Sequence, residues 1–391
     1  MIEFEEALSI VLSGVTTTGS ERADFADALN RVLAEDLCSD VDMPPFDKAA
    51  MDGYACRRND LDGELEVIEV LAAGDIPSRD IAEGQCSKIM TGAMVPRGAD
   101  TVIMIEQCRE TGEGKIRFAA RKTMSNIATK GEDVKKGDVI CRAGTLILPR
   151  HIAMLAASGS TRPLLAKQPR VGILSTGDEL VEPGEVPGPG KIRNSNGIQL
   201  AAQSRAAGCI PNYMGIVPDD AKATELAIGQ ALATNDLVLI SGGVSMGDFD
   251  FVPGIMKKNN VDILFQKVAV KPGRPTVFGK SGTTPIFGLP GNPVSSYINF
   301  ETFVKPLIYK MMGHDYHPLE LKIPMGVSFK RKKADRLEFL PVIINSQGEA
   351  VPARYHGSAH IHAISLSVGL MCIPKGILNI EKGELADVRP L

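Results

Sequence analysis

From Pro169 onward the chain alternates short apolar runs with amphipathic stretches, and that rhythm leaves few folds open. PRVGILSTG, CIPNYMGIVPD, DLVLISGG, VDILFQKVAV and TPIFGLPG read as strands. NGIQLAAQSRAAG, ATELAIGQALAT and VSSYINFETFVKPLIYKMMG between or after them read as helices. Strands buried on both faces are near-continuous apolar runs, and their alternation with helices implies βαβ units around a doubly wound, mostly parallel sheet. In such sheets ligands sit beyond the carboxyl ends of the strands. The loops after those strands are therefore where chemistry is expected.

The rest of the 391 residues reads differently. FEEALSIVLSG spaces Phe4, Ala7, Leu8, Val11 and Leu12 on one helical face, and FADALNRVLAEDL predicts a second amphipathic helix. After Met43 the texture changes to PPFDKAAMDGYA and then to short β-like runs broken by Gly and Pro, a β-rich insertion. HIAMLAASG is helical again and returns the chain to the first helical part. Beyond His314, LKIPMGVSF, LEFLPVIIN, AVPARY and GLMCIP suggest a small β unit. A net charge of −4, 5% aromatics and no Trp argue against an electrostatic nucleic-acid binder. Seven cysteines without a C-x-x-C pair predict reduced thiols. With an acidic start and no apolar run of about 18 residues, the expectation is a soluble cytoplasmic protein without a membrane partner.

Four segments carry candidate chemistry. STGDEL turns the chain at Thr176 and Gly177 and presents Asp178 and Glu179. SGGVSMGDFDFV offers Gly242, Gly243 and Gly247 for close approach of backbone N–H groups to an anion, with Ser241 and Ser245 as hydroxyl donors. Asp248 and Asp250 beside them suit a hard divalent cation. GLPGNPVSSYINFE runs through Pro290, Gly291 and Asn292 into a helix carrying Ser295 and Ser296 in its first turn, an arrangement suited to an oxyanion. VAVKPGRPTVFG places Lys271 and Arg274 around a P-G turn, one a point charge and the other a bidentate fork. Neither G-x-x-x-x-G-K-[ST] nor G-x-G-x-x-G is present where a nucleotide fold would need it. The H-x-H at 360–362 reads as a strand face rather than a metal site.

Taken in order, MPPFDKAAMDGYA, MTGAMVPRGADTVIMIE, GEDVKKGD, STGDEL, SGGVSMGDFDFV, KPGRPTVFG and GLPGNPVSSYINFE resemble the molybdopterin molybdenumtransferases, the MoeA-like molybdenum insertases related to the gephyrin E domain. The resemblance runs over nearly the whole chain. It implies a discontinuous helical domain (1–43 and 138–167), an inserted β-rich domain (44–137), an α/β molybdopterin-binding domain (168–313) and a C-terminal β barrel (314–391).

The implied reaction takes adenylylated molybdopterin and molybdate with Mg2+, releases AMP and leaves molybdenum on the dithiolene. It implies a homodimer, with molybdopterin adenylyltransferase and apo-molybdoenzymes as further partners. Carried over by motif, Asp52, Thr91 and Asp133 match positions of the insertion; Glu179, Asp219 or Asp220, and Asp250 match acids of the α/β domain. Glu179 and Asp250 are then the candidate metal ligands, and Asp52, Asp133, Glu179 and Asp250 the candidate catalytic acids. Thr91, Thr176, Ser241, Gly242, Gly243, Ser245, Lys271, Arg274, Pro290, Gly291, Asn292, Ser296 and Ser358 are the candidate substrate-binding set. Arg274 stands where many relatives have lysine. Two alternatives compete: an adenylyltransferase on the same α/β fold, and a non-catalytic gephyrin-like scaffold.

Overall fold

In a computed structural model that describes residues 1–244, 252–353 and 360–391, the apolar run at 170 is strand β1 (Arg170–Thr176), buried at every position but the first. It lies inside a six-stranded sheet with β2 (Ile210–Val217), β3 (Leu237–Ser241), β4 (Asp262–Phe265), β5 (Val277–Ser281) and β6 (Thr284–Leu289), in the order β2-β1-β3-β6-β5-β4. The pairs β2–β1, β1–β3 and β3–β6 are parallel. Strand β5 runs antiparallel to both its neighbours, β6 and β4; Ser281 and Thr284 close a two-residue hairpin between β5 and β6 in which Gly282 takes φ +58°. Alternate residues feed two cores. Ile173, Leu239 and Phe287 join one with Leu200, Val294 and Ile298. Leu174, Ile240 and Ile286 join the other with Ile228, Ile255 and Met256. Period-2 alternation with apolar residues on both faces is what helices on both sides of a sheet require. These helices include α1 (Ser195–Ala206), α2 (Ala221–Thr234), α3 (Val252–Lys258) and α4 (Pro293–Asn299).

This sheet belongs to the larger of two compact units, formed by Met1–Glu35, Gly144–Pro149 and Leu164–Leu391. The helix Phe4–Leu12 buries Phe4, Ala7 and Val11 in the first core, with Phe4 5.0 Å from Phe303 and 5.4 Å from Phe339 between ring centroids. The second helix expected at FADALNRVLAEDL does not form. Only Phe25–Asp27 turns, as a 3-10 helix capped by Asp24. Asn30 then takes φ +62°, and its N–H and that of Leu33 bond to Ile147 and Thr145. Val32 and Leu33 bridge Leu146 and Leu165. Backbone pairing with distant segments has overridden an amphipathic helical pattern here.

VDILFQKVAV, read as one strand, is also divided. Asp262–Phe265 edges the main sheet, while Val270–Lys271 pairs in parallel with Leu337–Ile344 of the C-terminal sheet. That sheet continues through Gly369–Ile373, Leu385–Pro390 and Leu321–Pro324. Ala350–Pro352 pairs back onto Leu337–Ile344, and Met325 bridges Ala350, so the strands come round on themselves. Met325, Leu340, Val342, Met371 and Val388 fill the interior.

The smaller unit comprises Asp36–Ala143 and Arg150–Pro163. Its six-stranded sheet runs Thr101–Met104, Gly53–Cys56, Gln85–Ile89, Glu64–Leu71, Lys115–Phe118 and Cys108–Gly112. Only Glu64–Leu71 and Gln85–Ile89 pair in parallel. Gly53 is required there: a Cβ would stand against the Ile103 carbonyl of the neighbouring strand. No described helix in the chain is long and apolar enough to cross a membrane.

Phe278 lies between Phe265 and Phe287, at ring-centroid distances of 5.6 and 4.6 Å, and is fully buried. Phe278→Ala is expected to lower unfolding free energy by about 3–5 kcal/mol through lost transfer and a residual cavity. A denaturant midpoint unchanged within error would show that the pile of rings contributes nothing.

Candidate functional site

Register builds the site. Ser175 stands opposite Ser241, and Ser241 opposite Leu289, so the loops after β1, β3 and β6 leave the sheet side by side. A cavity of about 670 Å³ opens there, lined by Thr176, Glu179, Ser241, Gly242, Gly243, Pro290, Gly291 and Asn292 among others. With Gly177 and Asp219, ten of the residues read from sequence thus meet in one place. Gly242 and Gly243 take φ +98° and +66°, and a Cβ on Gly242 would lie 2.5 Å from the Thr176 carbonyl oxygen. Only glycine allows the two loops to approach this closely. Thr176 is buried, and its Oγ1 has no hydrogen-bond partner among the described residues.

Two asparagines that sequence reasoning passed over hold the cavity's shape. Asn194 caps α1 by accepting from the Gly197 N–H at 3.0 Å and accepts from Ser175 Oγ at 3.1 Å. Asn196 donates from one amide to Ser241 Oγ at 2.8 Å and to the Gly291 carbonyl at 2.7 Å, joining two of the three loops. The signal was the N-S-N immediately before a helical run, a capping pattern whose second Asn has no capping duty.

The acids divide by role. Asp178 and Asp219 interlock, each accepting from the other's backbone N–H at 3.2 and 3.1 Å. Asp219 lines the cavity, whereas Asp220 caps α2 by accepting from the Ala223 N–H at 2.8 Å. Of the two, only Asp219 is thus at the cavity.

Lys271 and Arg274 line a second cavity of about 780 Å³, which shares Pro275, Pro290 and Asn292 with the first. Its wall also carries Lys330, Lys332, Lys333 and Arg336. The turn bearing the cations is held by buried Asn299, which donates to Thr276 Oγ1 at 2.6 Å; Thr276 in turn donates to the Gly273 carbonyl at 2.6 Å. Gly273 takes φ +102°, and a Cβ there would fall 2.6 Å from Asn299 Oδ1. Lys271 is ion-paired at 2.7 Å with buried Glu338, a partner not foreseen from sequence. Ser295 lines this cavity; Ser296 lines neither and is fully buried in α4.

Asp52, Thr91 and Asp133 belong to the smaller unit. Thr91 donates both its N–H and its hydroxyl to Asp52 Oδ1, each at 2.7 Å. The hydroxyl first and the N–H second hold the Asp52 carboxyl below its ordinary range. Asp133 is exposed, and its N–H bonds to the Met43 carbonyl at 3.1 Å. Ser245, Gly247, Asp248, Asp250 and Ser358 lie outside the described residues. No three His, Cys, Asp or Glu cluster as metal ligands among the described residues. The first cavity nonetheless offers hard oxygen atoms in Glu179, Asp219 and the unpartnered Thr176 hydroxyl, in a lining that also includes Arg193. This donor set fits magnesium, which takes one or two carboxylates and leaves its other positions to water and phosphate.

A glycine-lined crevice at the strand ends of a doubly wound sheet, beside a ring of cations, defines an α/β domain built to receive anions. Comparison narrows the class. Residues 2–159 match the MoeA N-terminal region (domain I and II), 172–310 a probable molybdopterin binding domain, and 322–391 the MoeA C-terminal region (domain IV). The chain is 34% identical to the molybdopterin molybdenumtransferase of Staphylococcus epidermidis, over 99% of this chain and 95% of that one. It is 33% identical to the enzyme of that name from Bacillus subtilis, over 99% and 93%. Its structure matches the crystal structure of a molybdopterin biosynthesis moeA protein from Pyrococcus horikoshii OT3 with a TM-score of 0.85 and 32% identity, covering all of both chains. The chain belongs to the MoeA family.

Thr91→Val, which removes the hydroxyl donor, is expected to raise the Asp52 pKa toward the ordinary carboxylate value. The ionised form loses a hydrogen bond that the neutral form does not need. NMR titration of the side-chain carboxyl reads this directly, and an unmoved Asp52 would remove the assigned cause.

Proposed function

We propose that this chain transfers molybdenum from molybdate to adenylylated molybdopterin, releasing AMP. The observation that carries the reading is the pair of adjoining cavities sharing Pro275, Pro290 and Asn292, one glycine-lined with carboxylates and the other ringed by cations. Two anionic reactants that must meet need two such pockets with a common wall. The backbone N–H groups around Gly242 and Gly243 and the loop Pro290–Asn292 receive the adenylylated phosphate. Lys271 and Arg274, with Arg336 beside them, hold molybdate and fix its orientation. Glu179 and Asp219 line the cavity that receives the phosphoanhydride, and Asp250 joins them by motif. Those not engaged with metal relay the two dithiol protons to the oxide that leaves molybdate as water, while a water attacks the phosphoanhydride and frees AMP. Glu179 and Asp250 would hold magnesium, which would supply charge neutralisation at the phosphates.

Asp52 and Asp133 act in the same reaction from the smaller unit of a second copy, so the working form is a homodimer. The family resemblance and the division of the acids between units support this. A cytoplasmic setting is supported by seven free thiols, and molybdopterin adenylyltransferase and apo-molybdoenzymes are the partners that supply the substrate and take the product. The family resemblance supports a domain division at 43/44, 137/138, 167/168 and 313/314, finer than the two compact units.

The deciding experiment incubates the protein with adenylylated molybdopterin, magnesium and molybdate, and measures AMP together with activation of an apo-molybdoenzyme. AMP without activation, or neither, would overturn the reading. Glu179→Ala is expected to slow AMP release by about 100-fold with an unchanged melting temperature, as loss of a transition-state contact does. Near-normal turnover would return Glu179 to the role of a solvated loop acid. Arg274→Ala should raise the molybdate concentration for half-maximal rate about 10- to 100-fold, and Arg274→Lys less. Saturation at wild-type concentrations in both would exclude Arg274 from the oxyanion pocket. Sedimentation should give a dimer at micromolar concentration, and a stable species of about 42 kDa would remove the second copy.

A further inference from the structure

Glu338 is a carboxylate in the wall of a cavity otherwise rich in cations. It faces Lys271 directly in the parallel pairing of Val270–Lys271 with Leu337–Ile344. Its Oε1 accepts from Lys271 Nζ at 2.7 Å and its Oε2 from Arg331 Nη1 at 3.2 Å. The side chains of Glu338 and Arg331 are each 3% exposed, while that of Lys271 is 47% exposed. Arg331 is committed to the protein: it also donates to the carbonyls of Ile377, Arg336 and Pro374, at 2.6, 3.1 and 2.6 Å. Lys271 is different. Its ammonium is docked on Glu338 yet half open to the cavity.

We propose that Glu338 is a built-in competitor for the oxyanion, occupying Lys271 so that an incoming tetrahedral anion must share or displace that contact. The inference rests on reading this cavity as the molybdate pocket. An oxyanion arriving at Lys271 meets an ammonium that already has a charge-assisted partner, and it also meets the field of a buried negative charge. Both effects weaken binding. Five further cations, Arg274, Lys330, Lys332, Lys333 and Arg336, the last paired with Asp335 at 3.6 Å, would otherwise hold a dianion tightly. Glu338 sets the pocket to hand its anion on rather than store it. Because the competition is for charge and not for size, it weakens molybdate and sulfate alike, so Glu338 sets affinity and leaves discrimination to other groups.

Calorimetric titration of the full chain with sodium molybdate, and separately with sodium sulfate, tests this. Glu338→Gln should tighten both about tenfold. Glu338→Asp keeps a charge beside Arg331 but draws the carboxylate back from Lys271 by one methylene, and should tighten both about threefold. In a Lys271→Met background, Glu338→Gln should lose most of its gain, because the competition runs through that ammonium. A purely structural Glu338 would instead give weaker binding in both variants, and equal or weaker binding overturns the proposal. If Glu338→Gln does not fold, the Asp variant decides by the same criterion. If wild type binds and neither variant tightens, only this inference falls. If neither wild type nor any variant binds an oxyanion, the molybdate-pocket reading falls and takes this inference with it.

Discussion

The hydrogen-bonded register of three parallel strands governs everything around the crevice. With Ser175, Ser241 and Leu289 in line across β1, β3 and β6, the three following loops emerge at one height. A slip of one residue in any of them would turn its side chains to the opposite face and move its loop out of line. The two cores make such a slip costly, since Ile173 and Leu174, or Leu239 and Ile240, would exchange environments already filled. The geometry of the crevice is thus held by apolar packing several residues away from it.

Polar contacts refine what register sets. Asn196 bridges Ser241 and Gly291, and Asn299 pins the turn that carries Lys271 and Arg274. Both asparagines come from the starts and ends of helices behind the crevice, so the same helices that bury the sheet also orient the loops. Buried amides of this kind are strongly directional, because a lost partner leaves a polar group stranded away from water. In a crevice meant for anions, that rigidity means the receiving groups need little rearrangement when charge arrives.

Much of this was legible in the order of residues, and the reasons differ from place to place. β1, β3 and β6 announced themselves because a strand covered on both faces has to be apolar at consecutive positions. The glycines at 242, 243 and 273 were legible because no other residue tolerates those backbone angles beside a close neighbour. Val32 and Leu33 were misread because a helical spacing of apolar residues is also produced when they enter a core from paired, irregular backbone. Glu338 was invisible: in LEFLPVIIN it looks like one polar interruption in an apolar strand, and its partner Lys271 lies 67 residues away. Only the parallel pairing across the sheet brings them together. Asp220 and Asp219 could not be separated by type, since capping and lining differ only in which way a carboxylate turns.

The strand Val270–Lys271 gives the chain a dependency that its linear order conceals. Although it arises within the α/β portion, it completes the C-terminal sheet and rests on Leu337–Ile344. A fragment cut after the α/β portion would keep all six strands of the main sheet, yet it would leave Val270 and Lys271 as an unpaired edge. The exposed N–H and carbonyl groups of such an edge invite pairing with other chains. The same cut would deprive Lys271 of Glu338 and the turn of its supporting wall. The α/β portion and the C-terminal sheet are therefore one inheritance: shuffling either alone into another protein would carry half a pocket and a sticky seam.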